Sequence, residues 1–120
     1  MSVEGSCHCG AVRLRLACAP AEVTECDCTV CHRYGVLWAY YAPEQVEVTG
    51  ATVGYARGPR TLDFHHCTVC GGVTHWAPVT REPGRMGINA RMLPREVLVA
   101  AHRRRLDGAV TEQYLDPPLP

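Results

Sequence analysis

Seven of the eight cysteines stand in three tight groups: Cys7-His8-Cys9, Cys26-Asp27-Cys28-Thr29-Val30-Cys31 and Cys67-Thr68-Val69-Cys70, the last followed by Gly71 and Gly72. Zn²⁺ needs several soft ligands converging on one point, and two cysteines one to three residues apart supply half a tetrahedron from a single turn. Seven clustered thiols divide into one closed four-ligand site and one open three-ligand site. A closed site is structural, whereas an open one keeps a position where chemistry can occur. Cys67 to Gly72 has the form of a zinc knuckle, in which a glycine after the second cysteine accepts the positive φ that turns backbone N–H groups toward sulfur. Cys7 and Cys9 are its natural complement, because Cys26, Cys28 and Cys31 already form a set of three. The competing arrangement joins Cys7 and Cys9 to the middle group. A histidine or Asp27 closing the middle site would make both metals inert.

Three thiolates push charge onto a metal and weaken it as a source of hydroxide. Such a soft, exchangeable site favours an incoming thiol, which loses its proton on coordination. Chemistry at a substrate sulfur is therefore expected rather than hydrolysis. His32, His65 and His66 abut the cysteine groups and are candidates for a fourth ligand, a proton donor or a hydrogen-bonding neighbour. His32 is the expected proton donor. Arg33 is the expected substrate clamp, and Arg91 shares its capacity for bidentate hydrogen bonds to a carboxylate. His8 should point away from a metal shared by its neighbours, while His75 and His102 carry no motif. Cys18, alone after a strand, reads as a small buried hydrophobe, and Trp38 and Trp76 read as core.

The elements that must position these groups are mostly strands. Val12, Leu14 and Leu16 alternate with Arg13 and Arg15, the period-two pattern of a strand with one wet face. Further strands are expected over 36–41, 45–48, 52–55, 61–65, 73–77, 86–89 and 110–114. Turns are expected at Gly50, Gly54, Gly58-Pro59, Pro83-Gly84 and Asp107-Gly108. One helical turn should follow Cys31, and a second helix is expected over 94–104, with proline at its start and cations at its end. The proline-rich stretch 116–120 should be extended or disordered, since it cannot pair in a sheet.

At 120 residues the chain should form one domain over 1–115, with 116–120 as an extended tail. Twelve arginines and no lysine balance twelve acids, so nothing in the net charge favours nucleic acid or an anionic membrane. Arg103-Arg104-Arg105 reads as solvated surface. No apolar run approaches the ~20 residues of a membrane span, and no charged-then-apolar leader precedes Cys7. The expected location is the reducing cytoplasm, where clustered cysteines mean metal or catalysis; a disulfide framework is the alternative for eight cysteines.

The segments 5–12 (Gly-Ser-Cys-His-Cys-Gly-Ala-Val), 26–33 (Cys-Asp-Cys-Thr-Val-Cys-His-Arg) and 64–72 (Phe-His-His-Cys-Thr-Val-Cys-Gly-Gly) resemble the glutathione-dependent formaldehyde-activating enzyme (GFA) family, whose relatives include centromere protein V-like proteins. The segment 87–93 and the Leu106-Asp107-Gly108 turn are also similar to that family. The resemblance implies a mainly β fold, the β-tent, of small coiled antiparallel sheets around zinc with one or two short helices. It implies two zinc ions, a structural one on Cys7, Cys9, Cys67 and Cys70 and a second, open one on Cys26, Cys28 and Cys31. The implied activity is that of a carbon–sulfur lyase, joining a thiol such as glutathione to a small aldehyde such as formaldehyde. A non-catalytic zinc module that binds a protein partner is the alternative.

Overall fold

The alternation around Leu14 is realised in a small antiparallel sheet of three strands, β1 (Val3–Ser6), β2 (Arg13–Leu16) and, after β3 (Glu22–Cys26) and β4 (Trp38–Tyr41), β5 (Val46–Thr49), in the order β1-β2-β5. Leu14 and Leu16 are buried on one face, and Arg13 and Arg15 are exposed on the other. The computed structural model describes residues 2–56, 62–79 and 84–120. The expected turns at Gly58-Pro59 and Pro83-Gly84, and the first residue of the 61–65 strand, involve residues outside this range.

The remaining strands are β6 (Thr52–Ala56), β7 (Leu62–Cys67), β8 (Val73–Pro78), β9 (Met86–Asn89), β10 (His102–Asp107) and β11 (Gln113–Tyr114). With β3 and β4 they form a second sheet in the order β11-β10-β3-β4-β9-β8-β7-β6. Its pairs are antiparallel except β3 with β10, which run parallel. The fold is therefore mainly β, with two short helices, α1 (Thr29–Tyr34) and α2 (Arg95–Ala100). β1, β3 and β10 had no counterpart among the expected elements. Gly54, expected in a turn, lies inside β6 opposite His65.

The large sheet uses its two faces differently. Successive residues of β4 point to opposite sides. Ala39 and Tyr41 join Leu14, Leu16, Val23 and Ile88 in the core between the sheets, and Trp38 turns the other way to pack with Phe64, Trp76, Cys28 and Cys31. A third cluster of Cys7, Val12 and Cys67 closes the seam where β1 and β7 end. Two of the three buried clusters thus contain the thiols themselves.

The second helix is shorter than the expected 94–104. It stops at Ala100 because His102 N–H donates to Ala21 O at 2.9 Å and the chain continues as β10 alongside β3. The arginine run alternates in exposure as a strand does. Arg103 pairs with Glu25, Arg104 with Glu22 at 3.1 Å, and Arg105 with Asp116 at 2.9 Å. Arg104 also lies over the Tyr114 ring at 3.6 Å. The strand expected over 110–114 shrinks to Gln113–Tyr114, because the Asp107 carboxylate accepts the N–H groups of Val110 and Thr111 and holds those residues in a turn. The stretch 116–120 forms neither helix nor strand and is tied down, with Pro117 O against His102 Nε2 at 3.0 Å and Leu119 N–H donating to Glu22 at 3.0 Å.

His75 is buried on β8 and stacks on His65 of β7, with ring centroids 4.4 Å apart and planes 4° from parallel. Burial pushes the His75 imidazole down to about 4 from its ordinary 6.5, and the neighbouring His65 acts in the same direction. Above pH 6.5 the residue is neutral in both native and unfolded chains, so the full stability is present. As pH falls through 6.5 toward 4, only the unfolded chain gains the proton and stability is lost. Between pH 7 and pH 5 this costs on the order of 2 kcal/mol. Urea unfolding of His75→Phe at the two pH values should show a loss smaller than the wild type's by about that amount; parallel losses would show that His75 does not set the acid limit.

Candidate metal centres

Two short turns bring the first group together. After β1, Gly10 N–H donates to Cys7 O and Cys7 N–H to Val12 O, both at 3.1 Å, which bends Cys7 and Cys9 into one turn. After β7 the equivalent bonds, Gly71 N–H to Cys67 O and Cys67 N–H to Gly72 O, are 3.0 Å long. Gly71 has φ 77°, the left-handed conformation expected of the residue after the second cysteine. The sulfur atoms of Cys7, Cys9, Cys67 and Cys70 all lie within 4.8 Å of one another. Cys9 Sγ is 3.6 Å from both Cys7 Sγ and Cys67 Sγ. Tetrahedral zinc–sulfur bonds of ~2.3 Å require sulfur–sulfur edges of about 3.8 Å, so the donor set fits that ion.

Backbone N–H groups point at these sulfurs as the knuckle requires. Ala11 donates to Cys9 and Val12 to Cys7 at 3.4 Å, and Val69 donates to Cys67 at 3.3 Å. Hydrogen bonds from the backbone of Cys9 and Gly72 hold the Cys70 thiol down to about 6. The spacing argument for a four-plus-three division therefore agrees with the geometry, and Cys7 and Cys9 do not join the middle group.

The middle group is local. Cys26 ends β3, Cys28 sits at the N-cap of α1, and Cys31 lies inside that helix, where the Cys28 sulfur accepts Cys31 N–H at 3.4 Å. Their three sulfurs also lie within 4.8 Å of one another, with no histidine or carboxylate joining them among the described residues. Asp27, a possible closing ligand, instead accepts Ala109 N–H at 3.1 Å. The hydrogen bond from Cys31 holds Cys26 down to about 6, and the same bond, with burial, pushes Cys31 up. Retained thiol protons must leave when a metal binds, so affinity rises with pH.

Three neighbours shape this centre. Trp38, buried beneath it, donates its indole N–H to Cys31 Sγ at 3.2 Å. Gly108, in the turn after β10, comes so close that a Cβ there would collide with Cys26 Sγ and touch Cys28 Cβ at 3.4 Å. On the open side lies a cleft of about 160 Å³, lined by Cys26, Asp27, Cys31, His32, Gly35 and Arg91 together with Glu25 and Val36. His32 therefore faces the cleft. Arg33 does not line it, and its guanidinium donates to Thr29 O at 2.9 Å within its own helix. Arg91 is the arginine that reaches the cleft.

The other candidates lie elsewhere. His65 hydrogen-bonds Thr52 at 3.0 Å, His66 pairs across from Val53, and neither belongs to a thiol group. His8 is exposed. Cys18, expected to be buried, is exposed, because the side chain packed at that end is Tyr41, whose hydroxyl donates to Cys18 O at 2.8 Å. Trp38 was legible only as a core residue and Gly108 only as a turn residue; their approach to sulfur has no signature in the local sequence.

Metal content and folding should separate the two groups. Cys67→Ser should abolish metal at the four-thiol group and unfold or aggregate the protein, whereas Cys28→Ser should lose one metal equivalent and remain folded. Elemental analysis with circular dichroism checks both; loss of all metal from Cys28→Ser would break the division. Gly108→Val should displace Cys26 and lower metal content at the middle group alone, an outcome visible as one equivalent lost with an unchanged far-ultraviolet spectrum.

Comparison with known proteins agrees with this geometry. Among curated proteins none matches the chain. A crystal structure of a Rhodobacter sphaeroides protein is similar at 30% sequence identity and a TM-score of 0.68, covering 83% of this chain and 98% of that one. The family model described as glutathione-dependent formaldehyde-activating enzyme matches residues 2–104, a span that contains both thiol groups, His32 and Arg91. With the motif, the fold and the matched span in agreement, the chain belongs to the glutathione-dependent formaldehyde-activating enzyme family.

Proposed function

We propose that the protein is a zinc-dependent carbon–sulfur lyase of this family, joining a small thiol, glutathione or a relative, to a small aldehyde such as formaldehyde, or reversing that step. The observation that carries the reading is the set of three thiols, two of which line a solvent-open cleft, with no fourth protein ligand among the described residues. In this reading zinc on Cys7, Cys9, Cys67 and Cys70 is structural, and a second zinc is held by Cys26, Cys28 and Cys31. Zinc at the second site would supply acidification of a thiol placed at its vacant position.

The chain's own groups account for the rest. The cleft is smaller than the ~300–1,000 Å³ of pockets that engulf a drug-sized ligand, so it takes the reacting end of a substrate and leaves the remainder in solvent. Gly108 packs against Cys26 Sγ, and His32 and Arg91 line the cleft that Cys26 and Cys31 border. The new bond joins the substrate sulfur to the carbonyl carbon, and the electron pair of the carbonyl moves to oxygen. That oxygen takes a proton, for which His32 at the rim is the available donor, and the thiol's own proton returns to the imidazole or to solvent. In the reverse direction His32 removes the hydroxyl proton and the carbon–sulfur bond breaks. Trp38 fixes Cys31 by its N–H bond and excludes water from beneath the thiols.

Calorimetry should detect a small thiol binding to the zinc-loaded protein, more tightly as pH rises toward the thiol's ordinary ~8.5, and not to Cys28→Ser. Exchange spectroscopy with thiol and formaldehyde should show adduct formation faster than in buffer, reduced by about 10²-fold or more in His32→Ala. Equal thiol affinity in wild type and Cys28→Ser would exclude the zinc–thiolate mechanism. Binding without acceleration would replace formaldehyde by another carbon–sulfur substrate.

A further inference from the structure

Asn89 is buried at the end of β9 and spends its amide on three backbone segments. Its Oδ1 accepts Leu37 N–H at 3.4 Å and Arg91 N–H at 3.2 Å, and its Nδ2 donates to Val73 O at 2.8 Å. These bonds fix the 3₁₀ turn Ala90–Met92, which carries Arg91 to the rim of the cleft. There the Arg91 Nε–H donates to Gly35 O at 2.9 Å, just past the end of α1. A guanidinium held by Nε keeps both terminal nitrogens available as a two-toothed fork.

That fork has no carboxylate partner among the described residues, although two acids line the same cleft. Glu25 is paired with Arg103, and Asp27 accepts Ala109 N–H. The contrast with Arg103, Arg104 and Arg105, each paired with an acid, is one of role. Those arginines tie elements together, whereas Arg91 is held by neutral carbonyl and amide groups with its charge presented to the cleft.

We infer that Arg91 is the carboxylate-binding element of the three-thiol cleft and makes the protein selective for thiols that carry a carboxylate near sulfur. The inference rests on the thiol reading above for the word thiol alone; the anion site stands on the geometry of Arg91. Because the guanidinium is exposed to solvent, the selectivity expected from two charge-assisted hydrogen bonds is modest, roughly tenfold.

The test uses zinc-loaded full-length protein and three probes: 3-mercaptopropionate, the similarly sized neutral 2-mercaptoethanol, and propionate, which has no thiol. Binding is followed by calorimetry and by NMR titration in wild type, Arg91→Ala and Arg91→Lys, each first shown to keep its metal content. The wild type should prefer mercaptopropionate to mercaptoethanol by about tenfold. In Arg91→Ala that ratio should fall toward one, and in Arg91→Lys it should be intermediate, since lysine keeps the charge and loses the fork. An unchanged ratio in Arg91→Ala, including an equal loss for both thiols, overturns the inference and makes Arg91 a counter-charge for the thiolates or a purely structural group. If neither thiol binds but propionate does, and Arg91→Ala abolishes it, the anion site stands and the thiol reading falls. Absence of any Arg91-dependent carboxylate binding overturns the inference whatever the thiols do.

Discussion

Two sheets, each with a face that must be hidden from water, meet along a seam whose end is sealed by four sulfur atoms. β1 delivers Cys7 and Cys9, β7 delivers Cys67 and Cys70, and Val12 lies fully buried beside Cys7 and Cys67. The small sheet has only three strands of four residues, so a metal at this joint would add to what its hydrophobic contact supplies. A metal held by these four sulfurs would contribute on the order of 10 kcal/mol, as in small zinc domains, comparable with the whole stability of an ordinary fold. Such a joint would fix the small sheet against the large one, and with it the core of Leu14, Leu16, Ala39, Tyr41 and Ile88 between them.

The two thiol groups use one ligand type for different ends. In the first, ligands come from segments about sixty residues apart and two of the four sulfurs are buried, so a metal there clamps distant chain. In the second, all three ligands lie within six residues, between the end of a strand and the first turns of a helix. A metal held there would close only a short local loop and so would add little to the fold. The surrounding groups also differ. Backbone N–H groups donate to sulfur in both sets, but only the second also has an indole N–H on sulfur and a charged cleft beside it.

What the sequence made legible was whatever neighbouring residues encode. The cysteine turns are local, and the division into four and three follows from counting. The strand around Leu14 was visible because its alternation is complete within a few residues. β10 was hidden, because three successive arginines match the charged end of a helix as well as a strand, and the acids that decide the matter, Glu22, Glu25 and Asp116, lie in other elements. Arg33 and Arg91 were equivalent by residue type. Only the bond from Arg33 to its own helix and the Asn89 hub beneath Arg91 separate them. Gly108 and Trp38 act through proximity to sulfur from another segment, a relation that no local pattern carries.

The parallel pairing of β3 with β10 has a consequence for how the protein comes into being. During synthesis the three middle thiols emerge together, and a metal could bind them while most of the chain is still unmade. The parallel partner of β3, unlike its neighbour β4, and the glycine that walls Cys26 emerge some eighty residues later. The four-thiol joint must likewise wait for Cys70 before Cys7 and Cys9 have anything to close upon. Metal taken up early at the middle group would therefore sit in an exposed loop, open to exchange with competing thiols, until β10 docks. A strand made near the end of the sequence, β10, is thus also the one that would turn a loose metal-binding loop into a walled site.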